Sequence, residues 1–260
     1  MNPATDSREP ELPQLLDASL ISESVSSYWR VKILDEIGST QTELAASQPR
    51  DGDLLTAEYQ SAGRGRLDRT FVTERSSALT FSFYIEPKRE RNEWGFLSLL
   101  AGSAVARTIN EMTNSDRYTT KWPNDILVGD KKIAGLLSEA HSNGVIIGIG
   151  INVTTQRENL PVPTASSIAM ESQQRIDRSL LLITFLRTFE ADLADWNAGD
   201  YPLDRYRASS STLGKQVSAL APDGSVQTGK AVDISPIGAL LLDSGASITV
   251  GDITHLTIDG

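Results

Sequence analysis

The chain has 260 residues, enough for one large domain or one large and one small, and too few for three. Hydrophobic residues at 39% and charged residues at 22% exclude global disorder and a fibrous repeat. With 24 basic against 34 acidic residues the net charge is -10, which disfavours nucleic-acid binding; with no cysteine and only His141 and His255, a disulfide framework, a Cys/His metal centre and a Cys nucleophile are excluded.

Residues 1–30 are rich in Ser, Pro and acids, and read as a flexible lead-in with one helical turn near Leu15, Leu16, Leu20 and Ile21. Such a segment is too short for a DNA-reading domain. Its first 13 residues lack a basic start followed by an apolar stretch, and no apolar run reaches membrane-spanning length. The expected address is the cytoplasm, with no membrane partner.

Val31 to Ile37 is dense enough in apolar residues for a strand, and Thr40-x-x-Glu43 predicts a capping box opening a helix through Leu44 and Ala45. Leu54 to Glu58 predicts a short strand. Leu79, Phe81, Phe83 and Ile85 alternate with Thr80, Ser82 and Tyr84, the pattern of a half-buried strand. Between these strands, residues 59–76 are polar and rich in Gly and Arg.

Leu97, Leu100, Ala101, Ala104, Val105, Thr108, Ile109 and Met112 recur at spacings of three and four, the stripe of a helix packed on a sheet. Ile126 to Val128, Ile133 to Ala140 and Val145 to Val153 are apolar runs separated by turn residues, and predict a three-strand meander. A second helix is marked by Leu182, Phe185, Leu186, Phe189, Leu193 and Trp196. The larger domain is expected to end near Ser211. From Gln216 short apolar runs alternate with Gly- and Pro-containing turns, as in a small barrel of about five strands.

Two stretches carry chemistry. In Tyr59-Gln-Ser-Ala-Gly-Arg-Gly-Arg-Leu-Asp-Arg-Thr-Phe71, Arg64, Arg66 and Arg69 are interleaved with Gly63 and Gly65. Glycines let backbone approach an anion and arginines supply forked donors, so the loop suits a phosphate or carboxylate; a solvated surface loop and an arginine-rich RNA tract have the same composition. In Lys121-Trp-Pro-Asn-Asp125 and Lys132-Ile-Ala-Gly135, a lysine at the start of a strand can aim its ammonium at a ligand lying over Gly135, or can merely solubilise a hairpin. Gly148-Ile-Gly150-Ile-Asn152 reads as a strand that something crowds, and is neither a dinucleotide fingerprint nor a P-loop.

Taken in order, Ser39-Thr40-Gln41, Gln60-x-Ala-Gly-Arg-Gly-Arg66, Lys121-Trp-Pro-Asn-Asp125, Lys132-Ile-Ala-Gly135 and Gly148-Ile-Gly-Ile-Asn152 resemble the motif series of the biotin protein ligases, over roughly residues 33 to 257. The resemblance implies an α+β fold: a mixed sheet flanked by helices, like the catalytic domain of class II aminoacyl-tRNA synthetases, over residues 31–211. An SH3-like β-barrel over 212–260 would follow. It implies activation of biotin by ATP and magnesium to biotinyl-AMP, then transfer to a lysine of a biotin carboxyl carrier protein domain. Ser39, Thr40, Gln41 and Gln60 would hold biotin, with Gly135 leaving room for it. Arg64, Gly65 and Arg66 would lie over carboxylate and phosphate, and Arg69 would meet the outer phosphates. Lys132 would bridge carboxylate and α-phosphate, leaving Lys121 a framework role. Asn152, Phe71 and Asp125 would serve the nucleotide, Asp125 with magnesium. Asp68 and Phe71 depart from the family's glycine and tryptophan. The form expected is the ligase alone, without a DNA-binding domain or a DNA partner. A lipoate ligase shares the adenylation logic, a related octanoyl transferase would need a cysteine, and a non-catalytic biotin-binding module would need no phosphate cations.

Overall fold

The computed structural model describes residues 14–66, 69–71, 73–221 and 223–256. In chain order the elements are α1 (Ala18–Ser24), β1 (Arg30–Ile37), α2 (Thr40–Ala46), β2 (Asp53–Gln60), β3 (Ala78–Ile85), α3 (Phe96–Thr113), β4 (Tyr118–Lys121), β5 (Asp125–Val128), β6 (Lys131–His141) and β7 (Gly144–Asn152). There follow α4 (Ile168–Glu171), α5 (Arg178–Asn197), α6 (Leu203–Ser209), β8 (Gln216–Leu220), β9 (Val226–Ile234), β10 (Leu240–Leu242), β11 (Ser247–Ile248) and β12 (Asp252–His255).

The first seven strands form one sheet in the order β1-β2-β3-β7-β6-β5-β4, parallel between β1 and β2 and antiparallel elsewhere. One face takes Phe81, Phe83, Ile147, Ile149, Ile151, Ala134 and Leu136, packed with Leu97, Leu100 and Val105 of α3 and Leu182, Phe185 and Phe189 of α5 in one apolar cluster. Burying a large aliphatic or aromatic side chain contributes roughly 1.5–3 kcal/mol, so this face carries most of the stability. On the other face α2 covers only part of the sheet, with Leu44 packed by Leu55, Tyr84 and Ile146. The uncovered remainder holds the site. Strands β8 to β12 form a separate five-stranded antiparallel sheet, order β11-β10-β9-β8-β12. It docks on the large sheet through Trp122, whose indole Nε1 donates to the carbonyl of Gly238 at 3.0 Å.

Three expectations are corrected. Residues 14–30 are packed rather than mobile: Leu16, Ile21 and Trp29 are buried, and the Leu16 N–H donates to Glu58 Oε1 at 2.6 Å. That part of the lead-in holds because Glu58 also pairs with Arg178 at 2.6 Å, which itself donates to the carbonyl of Gln14. Helix α2 is capped one residue earlier than expected: Ser39 is extended (φ -153, ψ 129) and its hydroxyl accepts from the Thr42 N–H, while Thr40 is already helical. Strand β4 was not anticipated, since Tyr-Thr-Thr-Lys offers too few residues to show an alternation.

Candidate active site

The floor of the site is made by the three glycines that break the apolar runs. Gly148 and Gly150 on β7 and Gly135 on β6 face the same way, with Gly135 opposite Gly150. A Cβ on Gly148 would lie 2.5 Å from Gln41 Oε1, one on Gly150 2.5 Å from the Phe71 ring, and one on Gly135 3.1 Å from Lys132 Nζ. The crowding expected at Gly148–Asn152 is therefore caused by side chains of the site itself, each lying where a Cβ is missing.

At one end, α2 delivers a polar cluster. The Thr40 N–H donates to Gln60 Oε1 at 2.7 Å, and the Thr40 hydroxyl lies 3.0 Å from the same oxygen and 2.9 Å from Ser82 Oγ. Ser39, Thr40, Gln41 and Gln60 are all buried at this end of the site. Gln41 donates to Glu139 Oε2 at 3.0 Å, leaving its own Oε1 buried without a donor among the described residues.

At the other end, Lys132 reaches the floor by a route the simple alternation of a strand does not give. Across β5 and β6 the register runs Asp125 to Gly135, Ile126 to Ala134, then Leu127 to Lys132, so Ile133 is an extra residue. This bulge re-aims Lys132. It shares a face with Gly135 and not, as alternation predicts, with Ala134 and Leu136, which are in the core. The Lys132 ammonium is 2.6 Å from Asp125 Oδ1. Lys131 pairs with Glu171 at 2.8 Å. Lys121 is opposite Asp125 across β4 and β5, and its charge bears on His255 of the small sheet.

The arginine loop roofs the space between. It folds back on itself, the Gly65 N–H donating to the Arg69 carbonyl at 2.7 Å and the Phe71 N–H to the Gly63 carbonyl at 2.9 Å. Its three cations are all partnered. Arg64 meets Glu139 at 2.9 Å, Arg66 donates to Asn124 Oδ1 at 2.9 Å and lies 3.5 Å from Asp252, and Arg69 meets Asp252 at 2.9 Å. Asp68 lies outside the described residues. With Lys132 and Asp125, the described residues of the site comprise four cations against three carboxylates. The side chains of these pairs are 20–70% exposed, Lys132 and Asp125 among them at 41% and 25%, so the carboxylates screen the cations without committing them.

Asn152 ends β7 and donates from Nδ2 to the Ser166 carbonyl at 3.0 Å, tying down the segment that also pairs with Lys132, whose N–H donates to the Thr164 carbonyl. For a resident metal the donors do not fit: among the described residues no three His, Asp or Glu converge, and Asp125 already faces an ammonium. Glu139, Ser82 and Asp252 were not singled out from the sequence, and Asn124 stood in the Lys121–Asp125 motif without a role of its own. Counting in twos from Gly135 would have reached Glu139, whereas Asp252 is brought in only by docking of the small sheet.

The Biotin/lipoate A/B protein ligase family model matches residues 34–155, and the Biotin protein ligase C terminal domain matches residues 212–256. Among curated relatives, a biotin--[acetyl-CoA-carboxylase] ligase of Mycobacterium tuberculosis is 34% identical over 258 residues, covering 94% of this chain and 97% of its own. The bifunctional ligase/repressor BirA of Escherichia coli is 29% identical over 249 residues, covering 92% of this chain and 77% of its own. A solved biotin protein ligase from Aquifex aeolicus, in complex with biotin and ATP, superposes with a TM-score of 0.76 at 30% identity, over 86% of this chain and 97% of that one. The chain belongs to the biotin protein ligase family.

Proposed function

We propose that this protein is an ATP-dependent biotin ligase that forms biotinyl-5'-AMP and passes biotin to a lysine of a biotin carboxyl carrier protein domain, as part of a carboxylase. The observation that carries the reading is the two-ended groove: a buried hydrogen-bonding end at Thr40, Gln41 and Gln60, and a cationic end at Lys132, Arg64 and Arg66, on one glycine floor. The M. tuberculosis relative, matched over nearly its whole length, supports it.

In the first step a carboxylate oxygen of biotin attacks the α-phosphorus of ATP, the bond to the bridging oxygen breaks, and pyrophosphate leaves. Two anions must be brought together, so the cations offset their repulsion and the charge that develops between them. Lys132 bridges carboxylate and α-phosphate, Arg64 and Arg66 lie over the same atoms with the Gly65 backbone close by, and Arg69 meets the departing phosphates. Phe71 and Asn152 border the nucleotide. Asp125 sets the position of the Lys132 ammonium; magnesium would arrive with the nucleotide's own phosphates, a role that needs few protein oxygens. In the second step the carrier lysine's amine attacks the acyl carbon and AMP leaves. Residues 31–211 would supply this chemistry, and residues 212–260 would brace the loop through Asp252. The net charge of -10 argues against a DNA partner, and we place the reaction in the cytoplasm.

The test is pyrophosphate release with ATP and biotin, with ATP and lipoate, and with ATP alone. Release with biotin only is expected; release with lipoate in preference to biotin, or none with either, would overturn the reading.

A further inference from the structure

Glu139 lies in none of the sequence motifs, yet its carboxylate touches both ends of the site. Alternation along β6 from Gly135 turns Leu137 and Glu139 to the face of the glycine floor. Oε2 accepts from Gln41 Nε2 at 3.0 Å and from Arg64 Nη1 at 3.3 Å, and Oε1 accepts from Arg64 Nη2 at 2.9 Å.

The contact with Gln41 decides which way an amide points. Its Nε2 faces two acceptors, Glu139 Oε2 and, at 3.4 Å, the carbonyl of Ile146. Two acceptors on one side require the NH2 group there, so Oε1 is turned toward Gly148. A buried carbonyl oxygen with no donor among the described residues is the partner a ligand N–H needs, and leaving such an oxygen unmatched is unfavourable. Without Glu139, one long hydrogen bond to Ile146 would be all that opposes a flip, and a flipped amide would present N–H to a ligand N–H.

The contact with Arg64 is of a different kind. The two side chains are 45% and 40% exposed, and an ion pair so open to water is weak and exchangeable. Glu139 can hold Arg64 over the sheet and give it up when a substrate carboxylate or phosphate arrives.

We propose that Glu139 is a positioning residue serving both ends of the groove: it locks the Gln41 carbonyl toward a ligand N–H, and it parks Arg64 until a substrate anion takes it over. The proposal rests on the roles given above to Gln41 and Arg64. It excludes a part for Glu139 in the bond-making itself.

The test is steady-state pyrophosphate release by the full chain with biotin varied, for Glu139→Ala, Glu139→Gln and Gln41→Leu, beside thermal melts and tryptic digestion without substrates. A glutamine at 139 keeps an acceptor for Gln41 but loses the charge that holds Arg64, so it separates the two contacts. For Glu139→Ala the KM for biotin is expected to rise about tenfold with kcat within about threefold, and Glu139→Gln should restore KM to within about threefold. Cleavage after Arg64 should accelerate in both. A Glu139→Ala enzyme with unchanged KM while Gln41→Leu raises it overturns the proposal alone, as does a loss of kcat at unchanged KM, or a failure of Glu139→Gln to restore KM. If Gln41→Leu leaves KM unchanged, the assignment of Gln41 to biotin fails and takes the proposal with it.

Discussion

The Glu58 to Arg178 pair and the ion pairs of the arginine loop use the same chemistry for opposite ends. Glu58 and Arg178 are each 5% exposed, and the remaining hydrogen-bonding capacity is taken up by the Leu16 N–H, the Ser76 hydroxyl and the carbonyls of Ala78 and Gln14. Around the loop, Arg64, Arg66 and Arg69 rest on Glu139 and Asp252 at 20–70% exposure, where water competes for every contact. The difference teaches that burial and completeness of hydrogen bonding, more than distance, separate a pair that fixes the chain from one that a ligand can exchange.

That contrast is broken most forcefully at its buried end. Arg178→Met strands a buried carboxylate, and is expected to lower stability by about 3–5 kcal/mol. Urea unfolding measures it, and a change under about 1 kcal/mol would mean that Glu58 finds water or another partner. At the exchangeable end, Asp252→Ala should lower stability by about 1 kcal/mol or less while making the loop more open to trypsin at Arg66 and Arg69. A loss as large as that of Arg178→Met would erase the distinction.

A third region sharpens it. His255 sits between the two sheets with Nε2 3.1 Å from the Thr212 hydroxyl; burial first, then the charges of Lys215 and Lys121, hold its pKa down to about 4. In the unfolded chain the imidazole titrates at its ordinary 6.5, so the unfolded state binds more protons between these values. The contribution is fully present above pH 6.5 and is lost as pH falls toward 4. His255→Gln is expected to flatten the dependence of the melting temperature over that interval, and an unaltered slope would place its origin elsewhere. Smallest of all, Lys131→Ala removes a half-exposed ammonium from Glu171, which keeps Ser166 and Arg117, and should change stability by no more than about 1 kcal/mol, with activity unchanged.

What the sequence disclosed follows from the range of the interactions. Long periodic stripes gave α3, α5 and the β5 to β7 meander, because side-chain period and burial agree over many residues there. The glycines of β7 announced crowding before its cause was visible. Single-residue features were missed: the cap moved from Thr40 to Ser39, and the bulge at Ile133 puts Lys132 on the face that simple strand alternation would deny it. Asp252 is about 180 residues from the arginines it holds, and only docking of the small sheet brings it there.

The assignment of Lys132 as the cation on the site floor is the centre of the account, and three alanine variants test it. Pyrophosphate release at saturating biotin and ATP is measured for Lys121→Ala, Lys131→Ala and Lys132→Ala, with thermal melts to confirm folding. Lys132→Ala is expected to lose on the order of 10²- to 10³-fold in rate at an unchanged melting temperature, comparable to removing an oxyanion donor. Lys131→Ala should be nearly silent, and Lys121→Ala should act on stability. Near-normal turnover by Lys132→Ala, with turnover lost in a folded Lys121→Ala, would contradict the assignment and move the cation to β4.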